Sequence, residues 1–229
     1  MPVRPILVIC IVTVVNVGMA AATPLALLHW NTCEDQTPLQ AFAGPNTYSQ
    51  VLTISGLDQP LKGFTARIAL LFRDDAGCPT AVPDAWRFND GGCQANLLMV
   101  NFGPDGAACP FLSSSNRASE YGFNVDGPAL LDVRTTFDTV TPSGDQTYTL
   151  MVVSYDHSQS TAGSSHDDLC GGADIAACVQ LQGLGYIAPD NSEIALPTGS
   201  ALVWQAIDGC QFCDAASPST WGQVKAHYR

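Results

Sequence analysis

The chain has 229 residues, of which 21 are acidic and nine basic, giving a formal net charge of −12. That sign of charge repels phosphate backbones and anionic lipid, so it argues against nucleic acid and membrane surfaces as partners. It favours cations and basic surfaces, and it also keeps an exported protein in solution.

The first residues specify a compartment. A basic start at Arg4 leads into an apolar run from Ile6 to Val15 and then into small residues, the layout of a signal peptide. Ala20, Ala21 and Ala22 place cleavage after Ala22, so residues 1–22 are expected to be removed and 23–229 to form one secreted domain. Asn16, Gly18 and Pro24 interrupt the apolar stretch, which argues against a retained anchor, since a span needs roughly 20 apolar residues. Cys10 follows Ile9 inside the apolar run, a poor context for lipidation. Because Arg4 is the one charge in that leader, losing it moves the net charge from −12 to −13.

Beyond the leader, lysines are confined to Lys62 and Lys225 and glutamates to Glu34, Glu120 and Glu193, against many Gly, Pro, Asp, Ser and Thr. This balance favours strands and turns over helices. Strand-like runs cover 48–55, 64–72, 95–102, 129–137, 146–155, 178–187 and 200–207. The clearest alternates Phe64, Ala66, Ile68, Leu70 and Phe72 with Thr65, Arg67, Ala69, Leu71 and Arg73. A Ser/Gly-rich stretch from Ser158 to Ser165 reads as an exposed loop. Seven or so short strands in one domain predict an all-β, disulfide-stapled antiparallel β-sandwich, because neither sheet can cover its own apolar face. A single short helix is predicted near the C-terminus, where Trp221, Val224 and Tyr228 recur at helical spacing.

Removal of Cys10 leaves eight cysteines, an even number that reads as a disulfide set in an exported chain. Proximity along the sequence suggests Cys33 with Cys78, Cys93 with Cys109, Cys170 with Cys178 and Cys210 with Cys213, although eight cysteines admit 105 pairings. The Cys210-Gln211-Phe212-Cys213 pair has the spacing of a redox or zinc motif. Ala215, Ser217 and Pro218 stand where a redox helix should begin, and no second knuckle completes a zinc site, so a structural clip is expected.

Asp156, Asp167, Asp168 and Asp174, near His157 and His166, gather oxygen ligands of the type calcium uses around the Ser/Gly-rich loop. Their spacing fits no EF-hand, and Asp is also a turn former, so a solvated acidic loop is the first reading, calcium is the alternative, and no cofactor is otherwise implied. No G-x-S-x-G elbow, H-E-x-x-H helix or phosphate loop is present, and the adjacent Ser165, His166 and Asp167 cannot form a triad. A glycosidase needs only two carboxylates across a cleft and leaves no motif. Of the glutamates, Glu34 and Glu120 fall in segments that read as irregular. Trp86, between Pro83 and the Gly91-Gly92-Cys93 turn, reads as core packing, with a stacking platform for a ligand as the alternative.

Three segments carry a family likeness: Leu28-His29-Trp30-Asn31-Thr32-Cys33, the Pro83-Asp84-Ala85-Trp86-Arg87-Phe88 to Gly92-Cys93 stretch, and Thr220-Trp221-Gly222-Gln223-Val224-Lys225-Ala226-His227-Tyr228-Arg229. In this order the chain resembles uncharacterised secreted single-domain proteins of environmental bacteria, ending in a T-W-G-x-V-K-x-x-Y-R segment. The resemblance implies a recurring exported domain and carries over no catalytic residue. The sequence therefore points to a secreted or cell-surface structural or binding module, with an extracellular partner or self-assembly as its target. A secreted glycoside or other hydrolase with carboxylate chemistry is the alternative. The terminal segment, apolar and basic in an acidic chain, is expected to dock on the domain.

Overall fold

Alternation along residues 64–72 becomes the central strand of the larger of two sheets. The computed structural model describes residues 23–34, 38–73, 79–103, 109–112 and 116–205. The leader, Cys78, the Cys210–Cys213 motif and the terminal segment with its expected helix lie outside the described residues. Eleven strands are formed within them: β1 Leu25–Trp30, β2 Leu39–Gln40, β3 Thr47–Ser55, β4 Leu61–Phe72, β5 Leu98–Asn101, β6 Arg117–Asn124, β7 Ala129–Val140, β8 Tyr148–Asp156, β9 Ala177–Ile187, β10 Glu193–Ala195 and β11 Ala201–Trp204.

The strands build an all-β sandwich. One sheet has the order β1-β3-β8-β5, and the other runs β2-β11-β9-β4-β7-β6 with β10 added to β9. All pairs are antiparallel except β2 with β11. On the larger sheet Phe64, Ala66, Ile68, Leu70 and Phe72 face inward and are buried, as are Leu131, Val133, Val179 and Leu181 on the neighbouring strands. The smaller sheet returns Leu52, Ile54, Met151, Val153 and Tyr155 to the same core. Each such side chain contributes roughly 1.5–3 kcal/mol when fully buried, which is why the period-2 pattern fixes the register.

All seven predicted runs hold a strand. The four remaining strands were not expected: β1, β2, β6 and β10. Glu120, read as irregular, sits in the middle of β6.

The end of the sandwich is plugged by a loop. A short 3-10 turn, Asp84–Trp86, follows Pro83, and the Ala85 amide donates to the Gly171 carbonyl at 2.9 Å. This drives Trp86 between the sheets, where its ring meets those of Phe72, Tyr155, His157 and Trp204 at centroid distances of 4.7–5.5 Å.

The disulfides correct the pairing expected from proximity. Cys33 is bonded to Cys109 and Cys93 to Cys170, so neither Cys33–Cys78 nor Cys93–Cys109 nor Cys170–Cys178 is formed. Cys178 is also disulfide-bonded, to a partner outside the described residues. Neighbourhood in space overrides neighbourhood in sequence. The Thr149 amide donates to the Pro110 carbonyl, which holds Cys109 against the smaller sheet, and Cys33 emerges from β1 of that sheet. Likewise the Ala85–Gly171 bond draws the loop that carries Cys93 toward Cys170. Closing 76 and 77 residues, each bridge removes more unfolded-chain freedom than a short clip would, roughly 4 kcal/mol in the chain-entropy account.

Candidate functional site

The outer face of the larger sheet turns its polar residues to solvent around a shallow basin of about 710 Å³. Its walls come from the strand alternation that builds the core. Thr65 and Arg67 of β4, Asp132 and Arg134 of β7, and Glu120 and Gly122 of β6 are the outward partners of inward apolar residues. The register sets Arg67 beside Asp132, and Glu120 beside Arg134. On the other side β9 carries a bulge at Gln182, so that Arg67 faces Gly183 while Ile68 faces Leu181. Bulges re-aim side chains and concentrate beside functional sites.

The floor is made of glycines. Gly122 has no heavy atom within 4 Å of where a side chain would begin, and Gly183 has only the Arg67 Cβ, at 3.6 Å. Gly185 differs, because a Cβ there would meet Glu193 Oε1 at 3.0 Å and Thr65 Oγ1 at 3.2 Å. A glycine inside a strand costs about 0.5–1 kcal/mol relative to alanine and often marks close approach of a ligand or another backbone. Packing within the chain accounts for Gly185, whereas Gly122 and Gly183 leave open space above them.

Charge is arranged rather than scattered. Arg67 Nε donates to Asp132 Oδ1 at 2.6 Å, and its Nη2 donates to Oδ2 at 3.1 Å, a two-pronged pair. Arg134 lies 3.9 Å from Glu193, which also accepts the Thr65 hydroxyl. Hydrogen bonding to Asp132 raises the Arg67 pKa, so this cation is permanent. Among the described residues no ion pair engages Glu120. The basin presents fixed positive and negative points at known spacing, suited to reading a complementary surface. Asp132 and Glu193 are each ion-paired and 53% and 50% exposed.

A second polar cluster is sealed. His157 and Ser160 are 0% and 1% exposed. Gln94 Nε2 donates to Ser160 Oγ at 2.5 Å, and the Ser160 hydroxyl lies 2.8 Å from His157 Nδ1. Burial lowers the His157 pKa to about 4, against a smaller opposing effect of Asp156. This resembles a nucleophile and its base, but it is packed beneath Trp86 and Trp204 where no substrate reaches. Ser160 ties Gln94 to His157 inside an aromatic core, while Gln94 Oε1 and His157 Nε2 meet no hydrogen-bond partner among the described residues.

The sequence candidates lie elsewhere. Trp86 is 0% exposed, so of its two sequence readings the core one holds and the stacking platform does not. The four aspartates do not converge: among the described residues no group of three or more His, Cys, Asp or Glu could hold a metal ion. Asp167 and Asp168 both have left-handed backbone, with φ of 46° and 64°, and they form the two-residue tip of a hairpin closed by bonds between His166 and Leu169. Asp156 accepts the Ser158 amide and Asp174 the Gly163 amide, both at 2.9 Å. Turn formation accounts for these acids. The basin residues went unnoticed because each reads as the wet half of an ordinary strand; Gly183 and Gly185 inside an apolar run were the available signal.

No protein-family profile matches the chain, and no curated protein matches it. Among solved structures it is similar to a type II cohesin domain from the cellulosome of Acetivibrio cellulolyticus, at 10% identity and a TM-score of 0.45 over 80% of this chain and 96% of that one. A cohesin module from a Clostridium perfringens family 33 glycoside hydrolase superposes with 10% identity and a TM-score of 0.37, covering 80% and 98%. A non-cellulosomal cohesin from Archaeoglobus fulgidus gives 11% identity and a TM-score of 0.34, covering 80% and 90%. Identity of this order supplies no residue correspondence, and the chemistry of the basin is set by its own side chains.

Proposed function

We propose that this protein is a secreted, non-catalytic binding module that engages a protein partner through the outer face of its larger sheet. The observation that carries the reading is the open floor at Gly122 and Gly183, ringed by the Arg67–Asp132 and Arg134–Glu193 pairs. Strand glycines above which the described residues leave space, Gly183 meeting only the Arg67 Cβ, give room for another backbone, and the charges around them supply orientation more than affinity. Residence outside the cell is supported by the leader-like start and by disulfides, which persist in oxidising compartments.

Selection from a random peptide display library against the oxidised protein tests this, with enriched peptides mapped by amide chemical shifts. Shifts are expected at Arg67, Asp132, Gly183 and Glu193, with binding lost in Gly183→Trp at an unchanged melting temperature. Enriched peptides that map to the opposite sheet, or turnover of oligosaccharides by the purified protein, would overturn the reading.

A further inference from the structure

Among the described residues β6 (Arg117–Asn124) is paired on one side only, with β7. The other chain edges are short or attended: β5 has four residues and β10 three, while β1 lies against β11 through a bond from the Leu28 amide to the Ser200 hydroxyl. Among the described residues, no backbone hydrogen bond outside the strand ladders involves 117–124. The strand is exposed at seven of its eight positions and holds neither proline nor lysine, two residues that commonly protect an open edge.

The edge also separates two concavities. Glu120, Tyr121 and Gly122 border the outer basin, and Tyr121 and Gly122 also border a second hollow of about 480 Å³, floored by Leu98, Phe123 and Phe88. Tyr121 spans to the opposite sheet, its hydroxyl donating to the Leu98 carbonyl at 3.3 Å. A strand laid along β6 would send successive side chains to opposite faces, alternately into one hollow and the other. On the outer side it would meet Glu120, which no ion pair among the described residues engages. On the inner side it would meet an apolar floor with Asp90 and Asp126 at the rim.

Resting on the binding-module reading above, we propose that β6 receives an extended segment of a partner protein as an added strand, with basic side chains on the basin side and apolar ones toward Leu98 and Phe123. Backbone bonding supplies affinity and the two hollows supply sequence preference. Charge favours this occupant over a second copy of the chain. Two copies at −12 each repel, and edge-to-edge pairing would bring two Glu120 side chains to one seam.

An octapeptide alternating lysine with valine or leucine is the probe, measured by fluorescence anisotropy and by amide hydrogen exchange in the full oxidised protein. Saturation is expected to slow exchange of the outward amides of 117–124 by more than about tenfold. N-methylation along the peptide edge that faces β6 should abolish binding, and the glutamate counterpart should not bind. Glu120→Lys should weaken the lysine peptide roughly two- to fivefold, the strength of one exposed charge pair. Binding that ignores N-methylation and shifts only Arg67, Asp132 and Gly183 would overturn strand addition while leaving face recognition standing. Failure of the peptide to bind at millimolar concentration would also overturn it, with the library selection still deciding the face. Concentration-dependent dimers with β6 protected in the absence of peptide would overturn it in favour of a second copy.

Discussion

The interior around His157 and the outer basin are both rich in polar groups, yet they do opposite things. In the interior, Ser160 is bonded to both Gln94 and His157 under the rings of Trp86 and Trp204, and all three are closed off from solvent. On the outer face, Arg67, Asp132, Arg134 and Glu193 are half in water, and glycines keep the space between them empty. Solvent access separates a group that stabilises this chain from one that is free to meet another. By that measure a histidine and serine 2.8 Å apart are structural, whereas ordinary surface charges form the candidate site.

The sharpest break of this contrast is Trp86→Ala. If the ring is core, its removal should destabilise the domain by about 3–5 kcal/mol in denaturant titration, and an unchanged midpoint would return Trp86 to the surface. Acid gives the next largest effect. The His157 pKa falls from 6.5 in the open chain to about 4 in the fold, so between these values the unfolded state binds more protons. Stability should therefore be lost as pH falls from about 6.5 to 4, by roughly 3 kcal/mol in total, and level off below. The dependence should be absent from His157→Gln, which separates it from carboxylate titration in the same range. The smallest effect is expected on the open face. Arg67→Ala should leave the melting temperature unchanged, because the pair it breaks is exposed and screened by salt. A clear fall would show that the basin's charges hold the sheet together instead of awaiting a partner.

The sequence discloses those parts of the fold that separate water from core. Residues 64–72 and 129–137 alternate because one side of each is wet and the other dry, and both are strands. β6 escapes notice for the same reason in reverse: as an edge strand with both faces largely in water, Arg117–Asn124 carries no alternation. β1 was hidden differently, since Leu25–Trp30 continues the apolar character of the leader. Cysteine pairing is a matter of distance in space, which Cys109 and Cys170 reach only through loops docked by backbone bonds at Pro110 and Gly171. The basin, made of the polar halves of several strands, becomes a unit only once β6, β7, β4 and β9 are laid side by side.

The two described bridges also bear on how the molecule is made. In chain order the four cysteines are Cys33, Cys93, Cys109 and Cys170, and the bonds join the first to the third and the second to the fourth. A polypeptide delivered N-terminus first presents Cys33 and Cys93 to the oxidant before either true partner has arrived. Bonds closed in order of appearance are thus mismatched, and must be undone by thiolate attack through mixed disulfides before the loops can dock. Where bridges close in that order, maturation calls for disulfide shuffling as well as oxidation, and a host that supplies only an oxidant should then accumulate protein with scrambled bridges.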